Sequence, residues 1–251
     1  MSKKGKLFVL GIGPGDIDYM TGHTRRLLES SDVIAGYKNY IELIAPFAIN
    51  KEIISTGMTK EVERVDSSIE AAANGKTVAL VCSGDAGIYG MAGLVYERME
   101  AAEIEIEVEV SPGVTAGIAA GSLLGAPLTN DFITISLSNL LTPTETVKKR
   151  IALAAQSDMV TAVYNPVSKK RKELIEFLQD QFLKYRDKST PVGIVTHALR
   201  DGQRQEIRTL DNFLNAEMDM NTILIIGNSD THIINGRMIT RRGYERKETK
   251  A

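Results

Sequence analysis

Residues 7–10 and 78–82 are short, unbroken apolar runs, and each is followed by a glycine-rich stretch. Runs of that length bounded by turn residues read as buried strands. Residues 24–29 predict a helix and 33–35 a returning strand. Val62, Val65, Ile69 and Ala72 recur at helical spacing, and Asn74-Gly75 supplies the stop. A further helix is expected around 91–99. Ile104, Ile106, Val108 and Val110 alternate with Glu105, Glu107 and Glu109, which predicts a strand with one buried and one wet face. Ser111-Pro112-Gly113 breaks that pattern and leads into a small-residue helix from Thr115 to about Leu124. Beyond it, strands are expected at 132–138, 159–164, 192–196 and 223–226, with helices at 147–155 and 172–184. Disorder is expected only at 1–5 and after Tyr244.

Alternating strand and helix patterns predict an α/β fold. The length of 251 residues suits two lobes rather than one small domain. Their boundary is expected within 114–126, giving an N-terminal lobe of 1–120 and a C-terminal lobe of 121–251.

Composition narrows the class without naming a function. Hydrophobic residues make up 43% and charged residues 25%, as in ordinary globular proteins. Lys3, Lys4 and Lys6 precede only a short apolar run, so neither a signal peptide nor a membrane span is expected, and the location is read as cytoplasmic. The net charge of −2 argues against a general nucleic-acid binder. The single cysteine, Cys82, excludes an internal disulfide framework and a zinc site of several thiolates. It reads as a small buried apolar residue. His23 and His232 are isolated and read as surface residues. No two histidines share metal-ligand spacing, so no protein-bound metal is expected.

Three loops carry the chemistry. Gly11-Ile12-Gly13-Pro14-Gly15-Asp16 follows the first strand but fits a dinucleotide loop poorly. Pro14 removes a backbone N–H, and Asp16 sets a negative charge where a pyrophosphate would lie. A nicotinamide oxidoreductase is therefore disfavoured; Asp16 also suits a cap for the next helix. Ser83-Gly84-Asp85-Ala86-Gly87-Ile88-Tyr89-Gly90 sits at the carboxyl end of a strand, where α/β sheets bind ligands. Asp85 suits ribose hydroxyls or a cationic group. Ser111-Pro112-Gly113-Val114-Thr115-Ala116 is a turn in which Thr115 caps a helix or meets a ligand.

In this order and spacing the three loops resemble the S-adenosylmethionine (SAM) signature of the tetrapyrrole methylases, and the likeness runs over about residues 6–244. Residues 33–40, Thr56-Gly57-Met58, residues 83–93, Leu124-Gly125-Ala126-Pro127-Leu128, Ser136-Leu137-Ser138, residues 164–171 and Arg242-Gly243-Tyr244 are similar to the branch that methylates C-17 of a cobalamin precursor and contracts its ring. The resemblance implies a two-lobed fold with SAM in the cleft between lobes, and a homodimer. It implies SAM contacts at Pro14, Ser83, Gly84, Asp85, Ile88, Thr115, Ala116, Tyr164, Asn165, Ala198 and Thr222. The uroporphyrinogen methylases carry an aspartate after the second strand; Gly36-Tyr37-Lys38 stands here instead, so that acid/base role does not transfer. Cobalt-factor III is favoured over precorrin-3B as substrate. Other corrin-ring methyltransferases (C-11 or C-20) and an RNA or protein methylase on the same fold are the rival readings.

Methyl transfer to an enamine-like ring carbon asks mainly for alignment and exclusion of water. Ring contraction adds proton movement, for which Tyr37, Lys38, Ser138 and His197 are candidates. Lys169, Lys170, Arg171 and Arg200 are expected to meet the substrate's carboxylates.

Overall fold

In the computed structural model the described residues are 5–167 and 172–244. The expected termini therefore lie largely outside them, as do Lys169, Lys170 and Arg171. The chain divides into two compact units between Thr115 and Ala116.

The first unit runs β1 (Lys6–Gly11), a 3-10 turn (Ile17–Tyr19), α1 (Gly22–Ser30), β2 (Val33–Tyr37), α2 (Lys38–Leu43), α3 (Ala45–Ala48), β3 (Glu52–Thr56), α4 (Glu61–Ala73), β4 (Thr77–Cys82), α5 (Ala92–Ala101) and β5 (Glu107–Ser111). The strands form one sheet in the order β3-β2-β4-β1-β5, and every pairing is parallel. A parallel sheet covered on both faces needs apolar residues at every position of its central strands, which is why 7–10 and 78–82 carry no alternation. Leu7, Val9, Val78 and Leu80 pack with Val65, Ile69 and Ala72 of α4. Phe8, Leu10, Ala79 and Val81 pack with Leu28 of α1 and Ile44.

Several local expectations need correction. Val62 is 48% exposed, while Val65, Ile69 and Ala72 of the same helix are buried. The alternating strand begins only at Glu107, and its phase fails at the end: Val110 is exposed while Ser111 is buried, its hydroxyl 2.9 Å from that of Thr24. Gly5 is buried, its N–H donating to the Ala72 carbonyl at 3.0 Å. His23 is not isolated, since its Nε2 lies 2.6 Å from Glu109 Oε1. Asp16 caps the 3-10 turn, accepting from Asp18 N–H, while Thr21 caps α1.

The second unit runs α6 (Ala116–Leu124), β6 (Gly125–Ala126), β7 (Phe132–Ser136), α7 (Thr144–Gln156), β8 (Val160–Tyr164), α8 (Lys172–Phe182), β9 (Pro191–Thr196), β10 (Arg204–Thr209), a 3-10 turn (Phe213–Asn215), β11 (Thr222–Ile226), β12 (Thr231–Ile234) and β13 (Arg237–Thr240). Its main sheet has the order β10-β9-β11-β8-β7 and is mixed: β7 and β8 are parallel, while β11 runs antiparallel to both β8 and β9. The carboxyl ends of β7, β8 and β9 therefore share one edge with the amino ends of β10 and β11. A small sheet, β12-β13-β6, completes the unit. Gly193 of β9 lets α6 pack closely, since a Cβ there would lie 2.3 Å from Leu124 Cδ1. Arg186 is buried and spans three carbonyls, those of Gly227, Ala154 and Met159. Desolvation lowers its guanidinium to about 10, against an opposing pull from Asp158.

Among the described residues no helix is long and apolar enough to cross a membrane. Nor do any three His, Cys, Asp or Glu residues among them cluster as metal ligands.

Candidate functional site

In the first unit, the three glycine loops grip one another. Gly13 and Gly84 exchange backbone hydrogen bonds of 3.0 and 2.7 Å. A Cβ on Gly11 would sit 2.6 Å from Gly113 N, and one on Gly113 would sit 2.1 Å from Gly84 O. No side chain fits at these two contacts, so glycine at 11 and 113 is a packing requirement of one knot formed by three distant segments. Gly13 and Gly84 also have φ of +79° and +70°.

Asp85 ties the knot. Its Oδ1 accepts from Gly87 N–H and Ile88 N–H at 2.8 and 3.0 Å, and its Oδ2 accepts from Gly113 N–H at 2.9 Å. Three backbone donors thus meet this carboxylate, an arrangement that fixes the loop. Pro14 and Thr115 are buried, Ser83 is half-buried, and Ile88 is 41% exposed on the same loop. Tyr89 beside it holds φ at +55°. The loops at 11–16, 83–90 and 111–115 contain two carboxylates, Asp16 and Asp85, and no lysine, arginine or histidine. That donor set suits a cationic ligand without phosphate.

On the same sheet edge β2 ends at Tyr37, whose ring stands edge-on to Tyr40 at 5.3 Å between centroids. Lys38 opens α2 and is exposed, its Nζ 4.0 Å from Glu42. Sequence reading missed Arg64. Buried on α4, it donates from Nε to Thr56 Oγ1 (2.9 Å), from Nη2 to Gly57 O (3.0 Å) and from Nη1 to Met91 Sδ (3.4 Å). It thereby links the end of β3 to the residue that follows the Asp85 loop.

In the second unit, Tyr164 is buried at the end of β8, and its hydroxyl accepts from Gly117 N–H at 2.9 Å, in the first turn of α6. That N–H has no partner within the helix, so the phenol serves as a cap supplied from the sheet. Ala116 opens α6 and is half-buried. Asn165 has φ of +51°, and its side-chain amide donates to Ser136 Oγ at 3.0 Å. The same oxygen accepts from Ser138 N–H at 3.2 Å.

His197 follows β9 with φ of +54°. Its Nε2 lies 3.2 Å from both Asp219 Oδ2 and Asn221 Nδ2, and its Nδ1 lies 3.3 Å from Asp201 O. Both ring nitrogens are thus spent on protein atoms. These contacts make the ring a brace between the turn after β9 and the 219–221 turn. Asp219 N–H donates to Thr222 Oγ1, which lies 2.9 Å from Thr196 Oγ1. The brace therefore reaches buried Thr222 directly, and buried Ala198 is its chain neighbour. Arg200 N–H closes the turn onto His197 O at 3.1 Å. Asp219 and Asn221 went unnoticed in the sequence, although an aspartate two residues before an asparagine is a local turn signal.

Comparison with known proteins gives a consistent result. The family model described as Tetrapyrrole (Corrin/Porphyrin) Methylases matches residues 6–214. A Priestia megaterium protein named cobalt-factor III methyltransferase is 49% identical over 98% of this chain, which spans only 46% of that relative's length. A Salmonella typhimurium protein named probable cobalt-factor III C(17)-methyltransferase is 44% identical, covering 95% of this chain and 99% of its own. The crystal structure of the methyltransferase CobJ superposes with a TM-score of 0.88 at 31% identity, covering 94% of this chain and 100% of that one.

Proposed function

The chain belongs to the tetrapyrrole (corrin/porphyrin) methylases, and from that premise we propose that it methylates C-17 of cobalt-factor III with contraction of the ring, using SAM as methyl donor. The observation that supports this most is the likeness to the Salmonella relative, which is named for that reaction and covered almost end to end. We favour the cobalt-bearing substrate over precorrin-3B on the same ground. The homodimer and the cytoplasmic location belong to the same proposal.

SAM supplies a methyl group on a sulfonium, a cationic leaving centre with no phosphate. The loops around Pro14, Ser83, Gly84, Asp85, Ile88 and Thr115 offer backbone groups and carboxylates without a competing cation, which fits that charge. Ala116, Tyr164, Asn165, Ala198 and Thr222 are the proposed contacts in the second unit. In this reading Asp85 holds the glycine knot in shape, and the Tyr164 hydroxyl fixes the start of α6. Each contact fixes a loop within its own unit, and fixed loops serve the alignment that methyl transfer to a ring carbon asks for. Tyr37, Lys38 and Ser138 are proposed to handle protons during ring contraction, with His197 as a positioning residue. Arg200, with Lys169, Lys170 and Arg171, is proposed to meet substrate carboxylates.

The test is turnover by the purified protein with SAM and either cobalt-factor III or precorrin-3B, followed by product mass and absorption spectrum. Gain of one methyl with cobalt-factor III is the expected result. No gain with either substrate, alongside gain on a different corrin intermediate, would refute the C-17 assignment.

A further inference from the structure

Leu140 and Leu141 are 73% and 99% exposed in the loop between β7 and α7. Two adjacent leucines in water are an unusual expense for a folded chain, and they lie on a loop that is firmly held at both ends. On one side Leu137 is buried and its N–H donates to Tyr164 O at 3.0 Å, while Ser136 Oγ joins Ser138 N–H to the Asn165 amide. On the other side Asn139 Nδ2 donates to Thr144 Oγ1 at 3.1 Å, at the first residue of α7. The loop is thus bonded directly to the Tyr164–Asn165 turn.

We propose that Leu140 and Leu141 form an apolar contact for one face of the tetrapyrrole macrocycle, and so help to determine substrate affinity. This rests on the tetrapyrrole reading given above. The chemistry matches: a macrocycle has a broad apolar face and carries its carboxylates on the rim, so a non-directional apolar contact holds the face and leaves the rim to cations. The area is small for a protein partner. The pair offers roughly 200 Å² of apolar surface by transfer arithmetic, against about 800 Å² per partner in a standard protein interface. The flanking residues Ser138, Asn139, Thr142 and Thr144 are polar, so the patch does not continue along the loop.

The experiment compares the full chain with the double variant Leu140→Ser/Leu141→Ser and with Leu140→Met/Leu141→Met. KM for cobalt-factor III, kcat, SAM affinity by calorimetry and mass in solution by light scattering are measured for each. The serine variant is expected to raise KM for the tetrapyrrole at least about tenfold while SAM affinity and mass stay unchanged. The methionine variant is expected to stay within about twofold of the parent. An unchanged KM in an active serine variant overturns the proposal. A changed mass does so as well, by assigning the leucines to contact between copies. A parent chain that fails to turn over cobalt-factor III while methylating another corrin strikes the C-17 reading, and the same comparison on that corrin then decides the role of the leucines.

Discussion

Asp85 Oδ2 accepts a hydrogen bond from Gly113 N–H at 2.9 Å, which joins two turns 28 residues apart. With Oδ1 holding Gly87 and Ile88, the carboxylate maintains the shape of the glycine knot. Hydrogen bonds from backbone donors to a charged acceptor contribute about 1.5–3 kcal/mol each, and this acceptor is only partly buried, so the lower end applies. With three such bonds, Asp85→Ala is expected to lower unfolding stability by about 4 kcal/mol and to weaken SAM binding at least tenfold. Asp85→Asn keeps one oxygen for Gly87 and Ile88 but turns an amide donor toward Gly113 N–H, so its loss should be intermediate. Calorimetric SAM titration of both variants checks the order, and full affinity in Asp85→Ala would remove the loop from the site.

Tyr164 and Gly117 form the matching relationship in the second unit. Tyr164→Phe leaves a buried helix N–H without its acceptor, which costs about 1–3 kcal/mol. Gly117→Ala should also destabilise the parent, because the new methyl would meet the Tyr164 hydroxyl at 2.7 Å. The two costs should not add. With the hydroxyl gone, the nearest ring atoms lie at 3.3 and 3.4 Å, and alanine improves helix propensity. A double-mutant cycle by urea unfolding tests this, and additive losses would show that the two groups do not interact.

His197 is expected to brace rather than to carry protons. Asn tolerates the left-handed backbone found at this position. His197→Asn therefore keeps the turn and removes the ring contact to Asp219. KM for SAM should rise severalfold while kcat stays within about threefold, since only positioning is lost. A fall in kcat of a hundredfold with unchanged KM would return His197 to the acid/base set.

The sequence disclosed these features unevenly, for physical reasons. The central parallel strands announce themselves because burial on both faces demands unbroken apolar runs, as in β1 and β4. Edge strands carry no such demand: β3 is largely exposed and β10 alternates Arg204, Gln205, Glu206 and Arg208 with little apolar content. The order of the glycine loops was legible, but their mutual contact was not. Glycine at 11 and 113 is required by atoms more than 25 residues away in the chain, and no local pattern encodes that. Asp219 stands 22 residues from His197 and Thr56 eight from Arg64, and neither pairing follows a helix or strand period. Asp85 was noticed for its charge, whereas its role depends on three backbone donors that only the folded loop brings together.

Cys82 gives a prediction in pH. Burial at the end of β4 pushes its thiol from 9.0 up to about 11; Met91 N–H and the nearby Arg64 charge pull it down, and Asp85 adds a smaller push upward. Between pH 9 and about 11 the unfolded chain releases this proton while the folded chain keeps it. The unfolded state then binds fewer protons, so the thiol's contribution to stability is complete below pH 9 and is lost as pH rises through that window. The slope approaches about 1.4 kcal/mol per pH unit. Tyrosines and lysines titrate in the same range, so the measurement is a difference. Urea unfolding of the parent and of Cys82→Ala at pH 8, 9 and 10 should show the parent losing stability faster above pH 9, whatever the constant cost of the small cavity. Parallel curves for the two proteins would mean that the thiol is not shielded in the folded state. The native thiol should correspondingly resist alkylation at pH 8 and react only as the first unit opens.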